Sequence, residues 1–558
     1  MARNHSYDYI IIGGGVAGLT LASRLSKTLP HTDEKQILLL EAGTDPSNTE
    51  SIQTAMGGYT ARDSEHAYAL STVANPHLNG RTTLVHVGKA LGGSAAINGG
   101  AWTRGPRSDY DYWAELVGDD AWSYDNLLPY FRKTERVVMA SNDSRDDIHH
   151  GYDGDLTIVP IRANWPKRKY PLRETVQKAW EEVGVKYISD GNRGDQNGLM
   201  EMVEVWVEGR RQLPGKFYDL SRVEVRDLCT VQRVTFELQA PNQDPKANGV
   251  DLAGGEHIVA NKEVIISAGV YHTPQVLMLS GIGDSALLSK HGIATVVPNV
   301  EVGKNLKDHL GVGLTWKLKH PEKGLAIGSP LLTDPSYFAG WPMDFIEFNQ
   351  VEDPGKLKSL VENPKDLEFL LREGASHMEL VTVYAPMGQR LTGVDAAFDG
   401  SHITTLSICV ATTSRGSVTI RSTNPDDPPI VDPNLNSTEA DRYLLREALR
   451  RSSRVLLRTE SGKSFVSHEV TPEGYAAITE DTTDEEMDKR IQEFGVSIDH
   501  AMGSCAMGRV VDSHCRVKGV TGLRVVDASV FPVPLACHLQ AAVYATAERA
   551  AAWIVRGE

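Results

Sequence analysis

The first 45 positions of the chain alternate between apolar runs and a glycine-rich turn in a regular order. An apolar run at residues 9–12 predicts a buried strand, and the glycine-rich turn follows at residues 13–18. An Ala- and Leu-rich segment with helical spacing comes next, and the run Ile37–Leu40 predicts a second strand that Glu41 closes. This order is typical of a βαβ unit, whose two strands lie parallel in one sheet.

A second group of strands is predicted in the middle of the chain. Residues 231–270 contain apolar runs that are separated at positions 249–250 and 254–255, where glycines occur. After the last run, residues 274–279 predict a helix that starts with a proline and has Thr273 as its N-cap. The chain therefore returns to strand and helix after its first βαβ unit.

The later part of the chain differs in composition. Residues 316–410 have longer intervals between glycines and are richer in proline and aromatic residues. Residues 416–421 predict an exposed strand, residues 438–457 predict a helix after a Ser/Thr start, and the last helix is predicted from Leu539 onward. We therefore expect a second domain in this region, with the end of the chain returning to the first domain.

The length and net charge of the chain limit the classes of protein to which it can belong. A chain of 558 residues is too long for one simple core, so we expect two closely packed domains. With 57 basic and 73 acidic residues, the formal net charge is −16, which attracts neither nucleic acid nor an anionic membrane. No apolar run approaches the roughly 20 residues that span a bilayer. We expect no nucleic-acid partner and no membrane partner.

The expected location is intracellular, and cytoplasmic in particular. Residues 1–8 are polar and lead directly into the first strand, unlike a secretory signal. The five cysteines form an odd set without the paired spacing of metal ligands. Such a set fits a reducing compartment, and no metal site is expected because no third ligand recurs near any candidate histidine.

The glycine turn has the chemistry of a nucleotide-binding loop. Gly13 permits the tight turn, Gly15 lets the backbone approach a pyrophosphate, and Gly18 allows the helix to pack closely on the strand. The phosphates then lie at the helix N-terminus, where free N–H groups favour anions. Glu41 can accept hydrogen bonds from ribose hydroxyls and would repel a 2′-phosphate. This fingerprint alone leaves FAD and NAD both open.

Two histidines near the end of the chain lie in distinctive frames. His500 lies in Asp-His-Ala-Met-Gly-Ser-Cys at residues 499–505, and His538 lies in Pro-Leu-Ala-Cys-His-Leu-Gln at residues 534–540. Together with the glycine turn and the segment Gly-Lys-Ala-Leu-Gly-Gly-Ser-Ala-Ala-Ile-Asn-Gly at residues 88–99, they resemble the glucose-methanol-choline (GMC) oxidoreductases. Further segments that carry the resemblance are 269–274, 279–283, 302–309 and 523–532.

The resemblance implies an α/β fold with two domains. One is a Rossmann-like FAD-binding domain of the glutathione-reductase type, and the other is an inserted α+β substrate-binding domain built on an antiparallel sheet. The implied FAD-binding domain comprises residues 1–160, 210–315 and 495–558. The implied substrate-binding domain comprises residues 161–209 and 316–494.

The resemblance also assigns residues to FAD. Ile97 stands where some members carry a histidine bonded to the flavin, so non-covalent FAD is expected. Ala95 and Val270 depart from the serine and the small residue usual at their positions. The residues assigned to FAD are Gly13, Gly15, Val16, Ala17, Gly18, Glu41, Ala42, Gly88, Leu91, Gly92, Gly93, Ser94, Asn98, Gly99, Ala101, Val231, Asp527, Ala528, His538 and Leu539.

By the same resemblance, the reaction is the oxidation of an alcohol. His500 would be the general base, and His538 would stabilise the developing alkoxide while hydride passes to flavin N5. A histidine at both positions is the pattern of aryl-alcohol-type oxidases, and formate oxidase has arginine in place of His538. The expected substrate is a primary, aromatic or otherwise activated alcohol, with O2 as acceptor and H2O2 as product.

Several alternatives stay open at this point. A dehydrogenase on the same scaffold would pass electrons to a quinone, and a non-redox cyclase of secondary metabolism would use the same pocket. A nicotinamide-linked enzyme would need a second nucleotide fingerprint, which the sequence lacks. A Ser/His nucleophilic pair is not expected, because Ser504 and Ser529 lack the G-x-S-x-G turn. His86, His272 and His309 are assigned structural roles, and substrate identity and oligomeric state are left open.

Overall fold

Two large sheets organise the chain. The computed structural model describes residues 6–30, 36–55, 57–141, 143–164, 167–237, 239–240 and 243–558. Within these residues the first sheet has seven strands and the second has eight. Both sheets and the helices around them share one continuous apolar core. The cavity that holds the candidate site lies at the carboxyl ends of the parallel strands of the first sheet.

The first sheet is mainly parallel. Its strands, in spatial order, are Val223–Arg226, Ile37–Leu40, Ser6–Ile12, His257–Ile266, Lys246–Leu252 and Val231–Glu237, and Leu523–Val525 pairs with the far part of His257–Ile266. The last two strands of the path run antiparallel to their neighbours. Helices Val16–Thr28 and Gln540–Arg556 pack against each other beside this sheet. Strand Ile37–Leu40 is buried along its whole length, as expected for a central parallel strand. The predicted βαβ unit is confirmed.

The second sheet is antiparallel apart from its last pair. Its strands, in spatial order, are Val466–Val470, Leu310–Leu318, His402–Cys409, Met378–Val383, Phe345–Asn349, Gly198–Glu201 and Tyr187–Ile188, with Val496–Ser497 beside Leu310–Leu318. Helix Glu439–Leu457 packs on it and begins at Thr438, whose hydroxyl accepts a hydrogen bond from the Asp441 N–H. The expected α/β fold with an α+β region on an antiparallel sheet is confirmed.

Smaller elements connect the sheets. The hairpin Ala67–Ser71 with Leu84–Gly88 leads into the loop at residues 88–101. Two three-stranded sheets consist of Lys304–Leu306, Gly416–Thr419 and Ile430–Asp432, and of Glu135–Val137, Leu156–Pro160 and Val203–Glu204. Other helices are Arg107–Val117, Tyr124–Thr134, Arg173–Glu182, Ser285–Lys290, Pro354–Leu360, Pro364–Leu371, Glu460–Phe465 and Asp484–Phe494.

The division into domains stays a prediction that the strand positions support. Most strands of the first sheet lie within the residues predicted for the FAD-binding domain, and most strands of the second lie within those predicted for the substrate-binding domain. Residues 310–315 and 496–497 belong to strands of the second sheet, although they were predicted for the first domain. The chain therefore crosses between the sheets close to both predicted boundaries.

The helix predicted at residues 274–279 begins earlier, at Gly269. Pro274 therefore lies inside the helix and cannot donate a hydrogen bond to the carbonyl four residues before it. That carbonyl belongs to Val270, and it accepts instead from the Ser504 hydroxyl at 2.5 Å. The predicted N-cap was wrong as well, because Thr273 donates its hydroxyl to Asp527 Oδ2 at 2.6 Å.

Two further predictions were wrong in detail. Positions 249–250 lie inside strand Lys246–Leu252 and do not separate strands. A Cβ on Gly249 would stand 2.2 Å from the Ile258 carbonyl oxygen of the neighbouring strand, so this glycine allows close strand packing. Strand Gly416–Thr419 is half-buried because it pairs on both sides within its small sheet.

Candidate active site

A cavity of about 320 Å³ lies at the carboxyl ends of three parallel strands, Ser6–Ile12, Ile37–Leu40 and His257–Ile266. Open α/β sheets bind ligands at this edge. The assigned residues that line the cavity are Gly13, Gly15, Val16, Ala17, Glu41, Ala42, Gly88, Gly93, Ser94, Asn98, Gly99, Ala101, Val231, Asp527, Ala528, His538 and Leu539, together with His500. The structure therefore brings most of the predicted site residues together.

Gly18, Leu91 and Gly92 lie behind the cavity wall. A Cβ on Gly18 would stand 2.0 Å from the Gly13 carbonyl oxygen, so this glycine permits the close packing of helix on strand. The Gly92 N–H donates to the Gly14 carbonyl at 2.7 Å. A Cβ on Gly14 would stand 2.9 Å from Leu91 Cδ1, which places the leucine against the turn. These three residues shape the turn from the side away from the cavity.

The nucleotide-binding turn is held by backbone contacts. Gly13 has a φ of +104°, and helix Val16–Thr28 begins after Gly15 without a side-chain cap. The first N–H groups of that helix are therefore not bound by a capping side chain. The turn also touches the loop at residues 88–101, because a Cβ on Gly93 would stand 2.7 Å from Gly15 Cα. Backbone groups of both loops therefore line the same cavity.

Glu41 is buried at the end of its strand. One carboxylate oxygen, Oε2, accepts from the Gly14 N–H at 2.7 Å, and Oε1 accepts from the Gly43 N–H at 2.8 Å. Burial raises the pKa of Glu41, although the backbone N–H groups favour the charged form. The carboxylate lies in the cavity wall, where hydroxyl groups of a nucleotide can reach its remaining lone pairs.

Arg211, which sequence reasoning missed, supports the loop at residues 88–101 from behind. Its guanidinium donates to the Ala95 carbonyl and to Asn98 Oδ1, both at 2.8 Å, and to the Ile52 carbonyl at 2.9 Å. Burial lowers the pKa of Arg211 to about 9. A basic residue far along the chain gives no local sequence signal for such a contact.

His500 and His538 face each other in the cavity. Their ring centroids are 4.7 Å apart, and the ring planes are inclined at 75°. The His500 backbone N–H donates to Asp308 Oδ1 at 3.0 Å, and the His538 backbone N–H donates to Thr103 Oγ1 at 2.7 Å. Both loops are thus fixed by buried side chains from other segments, and both imidazoles line the cavity.

Within the described part of the chain, each of the two imidazole rings has one hydrogen-bond partner, which is a buried side chain. His500 Nδ1 lies 3.1 Å from Nδ1 of His309, which is fully buried. His538 Nε2 lies 3.0 Å from Oε1 of Glu379, which is 1% exposed. His309 was predicted to be structural and Glu379 was not singled out. The sequence signals were the Asp-His pair at 308–309 and an acidic residue in the otherwise uncharged strand Met378–Val383.

The two imidazoles differ in their protonation. Burial, together with the nearby His538 and His309, lowers the pKa of His500 well below its usual range. Burial also acts to lower the pKa of His538, but the charge and hydrogen bond of Glu379 outweigh it and raise that pKa. Burial lowers the pKa of His309 to about 3. The pKa of His500 is therefore shifted down and the pKa of His538 is shifted up, although both rings line the same cavity.

Among the described residues, no group of three or more His, Cys, Asp and Glu side chains is arranged to hold a metal ion. None of the helices in the described part of the chain has the length and apolar character to cross a bilayer. Cys505 and Cys537 have free thiols, and both are buried.

Two models of one protein family together match most of this chain. The GMC oxidoreductase N-terminal family model matches residues 7–311, and the C-terminal family model matches residues 412–547. The chain belongs to the GMC oxidoreductase family. GMC oxidoreductases carry FAD, and this chain is accordingly an FAD-dependent oxidoreductase.

Similar GMC proteins cover the chain over its full length. GMC-type oxidoreductase acuG of Aspergillus aculeatus is 36% identical over 549 residues, which are 98% of each chain. An oxygen-dependent choline dehydrogenase of Vibrio vulnificus is 34% identical over 98% of this chain and 93% of its own. A solved structure of a formate oxidase variant from Aspergillus oryzae RIB40 superposes with a TM-score of 0.87 at 28% identity, covering 100% of this chain and 99% of the other.

Proposed function

We propose that this GMC oxidoreductase oxidises a primary, aromatic or otherwise activated alcohol to the aldehyde, with O2 as acceptor and H2O2 as product. The observation that carries the proposal is the facing pair of histidines in the cavity, whose different buried partners shift their pKa values in opposite directions. Alcohol oxidation needs both a base for the hydroxyl proton and a donor for the developing alkoxide.

The residues of the cavity fit FAD. The glycine turn and the uncapped start of helix Val16–Thr28 would hold its pyrophosphate, and Glu41 would bind the ribose hydroxyls. Helix Gln540–Arg556 also begins without a side-chain cap, and Leu539 at its start lines the cavity. Ile97 has no group that can bond to the flavin, so the cofactor is non-covalent at this position. When bound, FAD supplies the acceptor for the hydride of the alcohol carbon.

The two imidazoles divide the proton chemistry between them. Because His309 occupies Nδ1 of His500, Nε2 of His500 remains to take the hydroxyl proton. Because Glu379 occupies Nε2 of His538, Nδ1 of His538 remains to donate a hydrogen bond to the same oxygen. A protonated His538 stabilises the negative charge on that oxygen as the proton leaves.

A second, apolar cavity near the site supports an aromatic substrate. A Cβ on Gly99, in the cavity wall, would stand 2.8 Å from Nε1 of Trp341. Trp341 also lines a second cavity of about 300 Å³, whose walls are formed by Ala55, Gly340, Trp341, Pro342, Val383, Ala385, Pro386, Met387, Gly388 and Phe398. We call this second cavity the apolar cleft. Apolar walls favour a ring over a sugar or a small ion.

Relatives support an oxygen-linked reaction. The Vibrio relative is named an oxygen-dependent dehydrogenase, and the similar solved structure is an oxidase. By the family resemblance, formate oxidase has an arginine where this chain has His538, so this chain lacks the guanidinium that would bind a carboxylate through two hydrogen bonds. These likenesses favour an oxidase that acts on an alcohol.

Anaerobic spectral titration of the purified holoenzyme tests the proposal. We expect benzylic or allylic primary alcohols to bleach the flavin band, and air to restore it rapidly with formation of H2O2. Slow return in air but rapid return with a quinone would replace the oxidase by a dehydrogenase. A flavin band that no alcohol bleaches would contradict alcohol oxidation.

A further inference from the structure

We infer that His309 is the positioning residue that holds His500 in the tautomer able to act as a base. In this arrangement His500 carries its proton on Nδ1 and donates it to Nδ1 of His309, which leaves Nε2 of His500 open toward the cavity. The inference rests on the proposed function for its catalytic meaning, whereas the tautomer itself can be observed without any reaction.

The hydrogen bond between the two rings can hold only one proton. The two Nδ1 atoms are 3.1 Å apart, so one of them donates and the other accepts. If His309 were the donor, His500 would carry its proton on Nε2 and would face the cavity without a lone pair. The direction of this one bond therefore decides whether His500 can accept a proton.

The surroundings of His309 determine that direction. The backbone carbonyls of Val410 and Leu535 act on its ring as acceptors. Its Nε2 makes no hydrogen bond of standard geometry within the described residues, and it is the ring nitrogen that His500 leaves unused. Carbonyl oxygens accept and never donate, and His500 occupies Nδ1, so these carbonyls would favour a proton on the remaining ring nitrogen, Nε2 of His309. Nδ1 of a neutral His309 is then an acceptor.

Charge balance keeps His309 neutral. Its ring is fully buried, and a protonated His538, facing His500 in the same cavity, would place one positive charge nearby. A second positive charge in this space would be repelled and poorly solvated. The base is thus oriented by a neutral imidazole, whereas a carboxylate orients the partner histidine. A neutral imidazole does not raise the pKa of His500 as a carboxylate would. His500 therefore stays weakly basic, which favours release of its proton after each turnover.

The backbone places His309 where this contact is possible. His309 directly precedes strand Leu310–Leu318, and Leu310 pairs with Cys409, which pairs with Met378. His309 and Glu379 therefore come from the same end of the second sheet. The Ile498 N–H donates to the His309 carbonyl at 3.0 Å, which ties this end of the sheet to the loop that carries His500.

Three substitutions of His309 separate the possibilities in the holoenzyme. H309Q keeps a neutral acceptor, and we expect flavin reduction within about threefold of the native rate. H309F removes the acceptor, and we expect the rate constant of reduction to fall about tenfold or more, with little change in the apparent alcohol affinity. H309E supplies a carboxylate, and we expect the acid limb of the pH profile to move about one unit or more toward higher pH.

Other groups near His500 need control. His538 faces it, Asp308 and Asp499 adjoin it, and Arg62 and Tyr271 line the same cavity. Burial raises the pKa of Asp308 to about 7. D308N therefore shows whether titration of Asp308 contributes to the acid limb of the pH profile. Native rates in H309F, or an unmoved limb in H309E, would overturn the inference. FAD content and thermal unfolding show which variants are folded.

Nitrogen NMR of the oxidised native holoenzyme tests the tautomer directly. With histidine labelled in both ring nitrogens, and H500N used to identify the signals, we expect a protonated Nδ1 and an unprotonated Nε2 on His500. A protonated Nε2 with a bare Nδ1 would overturn the inference. If the tautomer is as expected but no alcohol reduces the flavin, the proposed reaction fails and the assignment of His309 stands.

Discussion

His500 and His538 face the same cavity, but different parts of the molecule hold the two rings. His500 contacts a neutral, fully buried imidazole, His309, whereas His538 contacts the buried carboxylate of Glu379. The pKa of His500 is lowered by burial, and the pKa of His538 is raised because Glu379 outweighs burial. In the proposed reaction, identical side chains would thus take the roles of base and hydrogen-bond donor because their second contacts shift their pKa values in opposite directions.

Removing the base should give the largest effect. H500A leaves the cavity without an acceptor for the hydroxyl proton, so we expect flavin reduction to slow by about 10²–10⁴-fold. FAD content should stay at the native level, because the nucleotide end of the cavity is built from other residues. Anaerobic stopped-flow absorbance measures the rate, and H320A, at an exposed histidine outside the cavity, is the control. Native reduction in H500A would remove His500 from the mechanism.

A substitution at the nucleotide end of the cavity should change the affinity for FAD. E41R removes the acceptor of two backbone N–H groups and places a cation where ribose hydroxyls should bind. We expect the dissociation constant of FAD to rise about a hundredfold, or roughly 2.7 kcal/mol. Titration of the apoprotein with FAD measures it, and E41Q should lose less. Unchanged FAD affinity would show that the ribose contact lies elsewhere.

Replacing Glu379 by a neutral residue should make the pKa values of the two histidines more alike. Glu379 raises the pKa of His538, so protonated His538 is present at low pH and is lost as the pH rises through that value. In E379Q we expect the alkaline limb of flavin reduction to move about one unit toward lower pH, with a loss of about tenfold above it. E347Q, at another fully buried glutamate of the same sheet, should leave the limb in place. An unmoved limb in E379Q would contradict the charged state of His538.

Removing a hydrogen bond that holds the segment around His500 should have the smallest effect, a modest loss in the free energy of unfolding. Ser504 donates to the Val270 carbonyl that Pro274 leaves unbonded, and this bond fastens the loop at residues 499–505 to helix Gly269–Leu279. We expect S504A to lower the free energy of unfolding by about 1 kcal/mol, as measured by denaturant titration. S289A, at an exposed helical serine, should change it by less than about 0.5 kcal/mol. Equal losses in both variants would argue against this anchor.

The nucleotide end could be predicted because its parts are close together in sequence. The glycine turn, the helix and Glu41 all lie within the first 45 residues, and the spacing of glycines reports the backbone they need. The frames around His500 and His538 carried the family resemblance. The start of helix Gly269–Leu279 was predicted incorrectly because its bonding is completed by Ser504, a residue far along the chain.

The partners of the histidines could not be predicted in the same way. His309 lies 191 positions from His500, and Glu379 lies 159 positions from His538. Arg211 contacts Asn98 across 113 positions. The two histidine contacts depend on how the second sheet packs on the first, and the Arg211 contact joins two segments far apart in the chain. Neither spacing nor hydrophobic pattern reports these arrangements. A buried charge in a strand indicates that a partner exists, but not which residue it is.

The contact between Gly15 and Gly93 has a consequence for protein engineering. Since a Cβ on Gly93 would stand 2.7 Å from Gly15 Cα, any side chain there would push the loop at residues 88–101 away from the nucleotide turn. A mutant library aimed at new substrates should therefore keep this glycine constant. Diversity belongs in the walls of the apolar cleft, where Phe398 is 51% exposed and has room to change. Cofactor retention and substrate choice could then be evolved as separate properties.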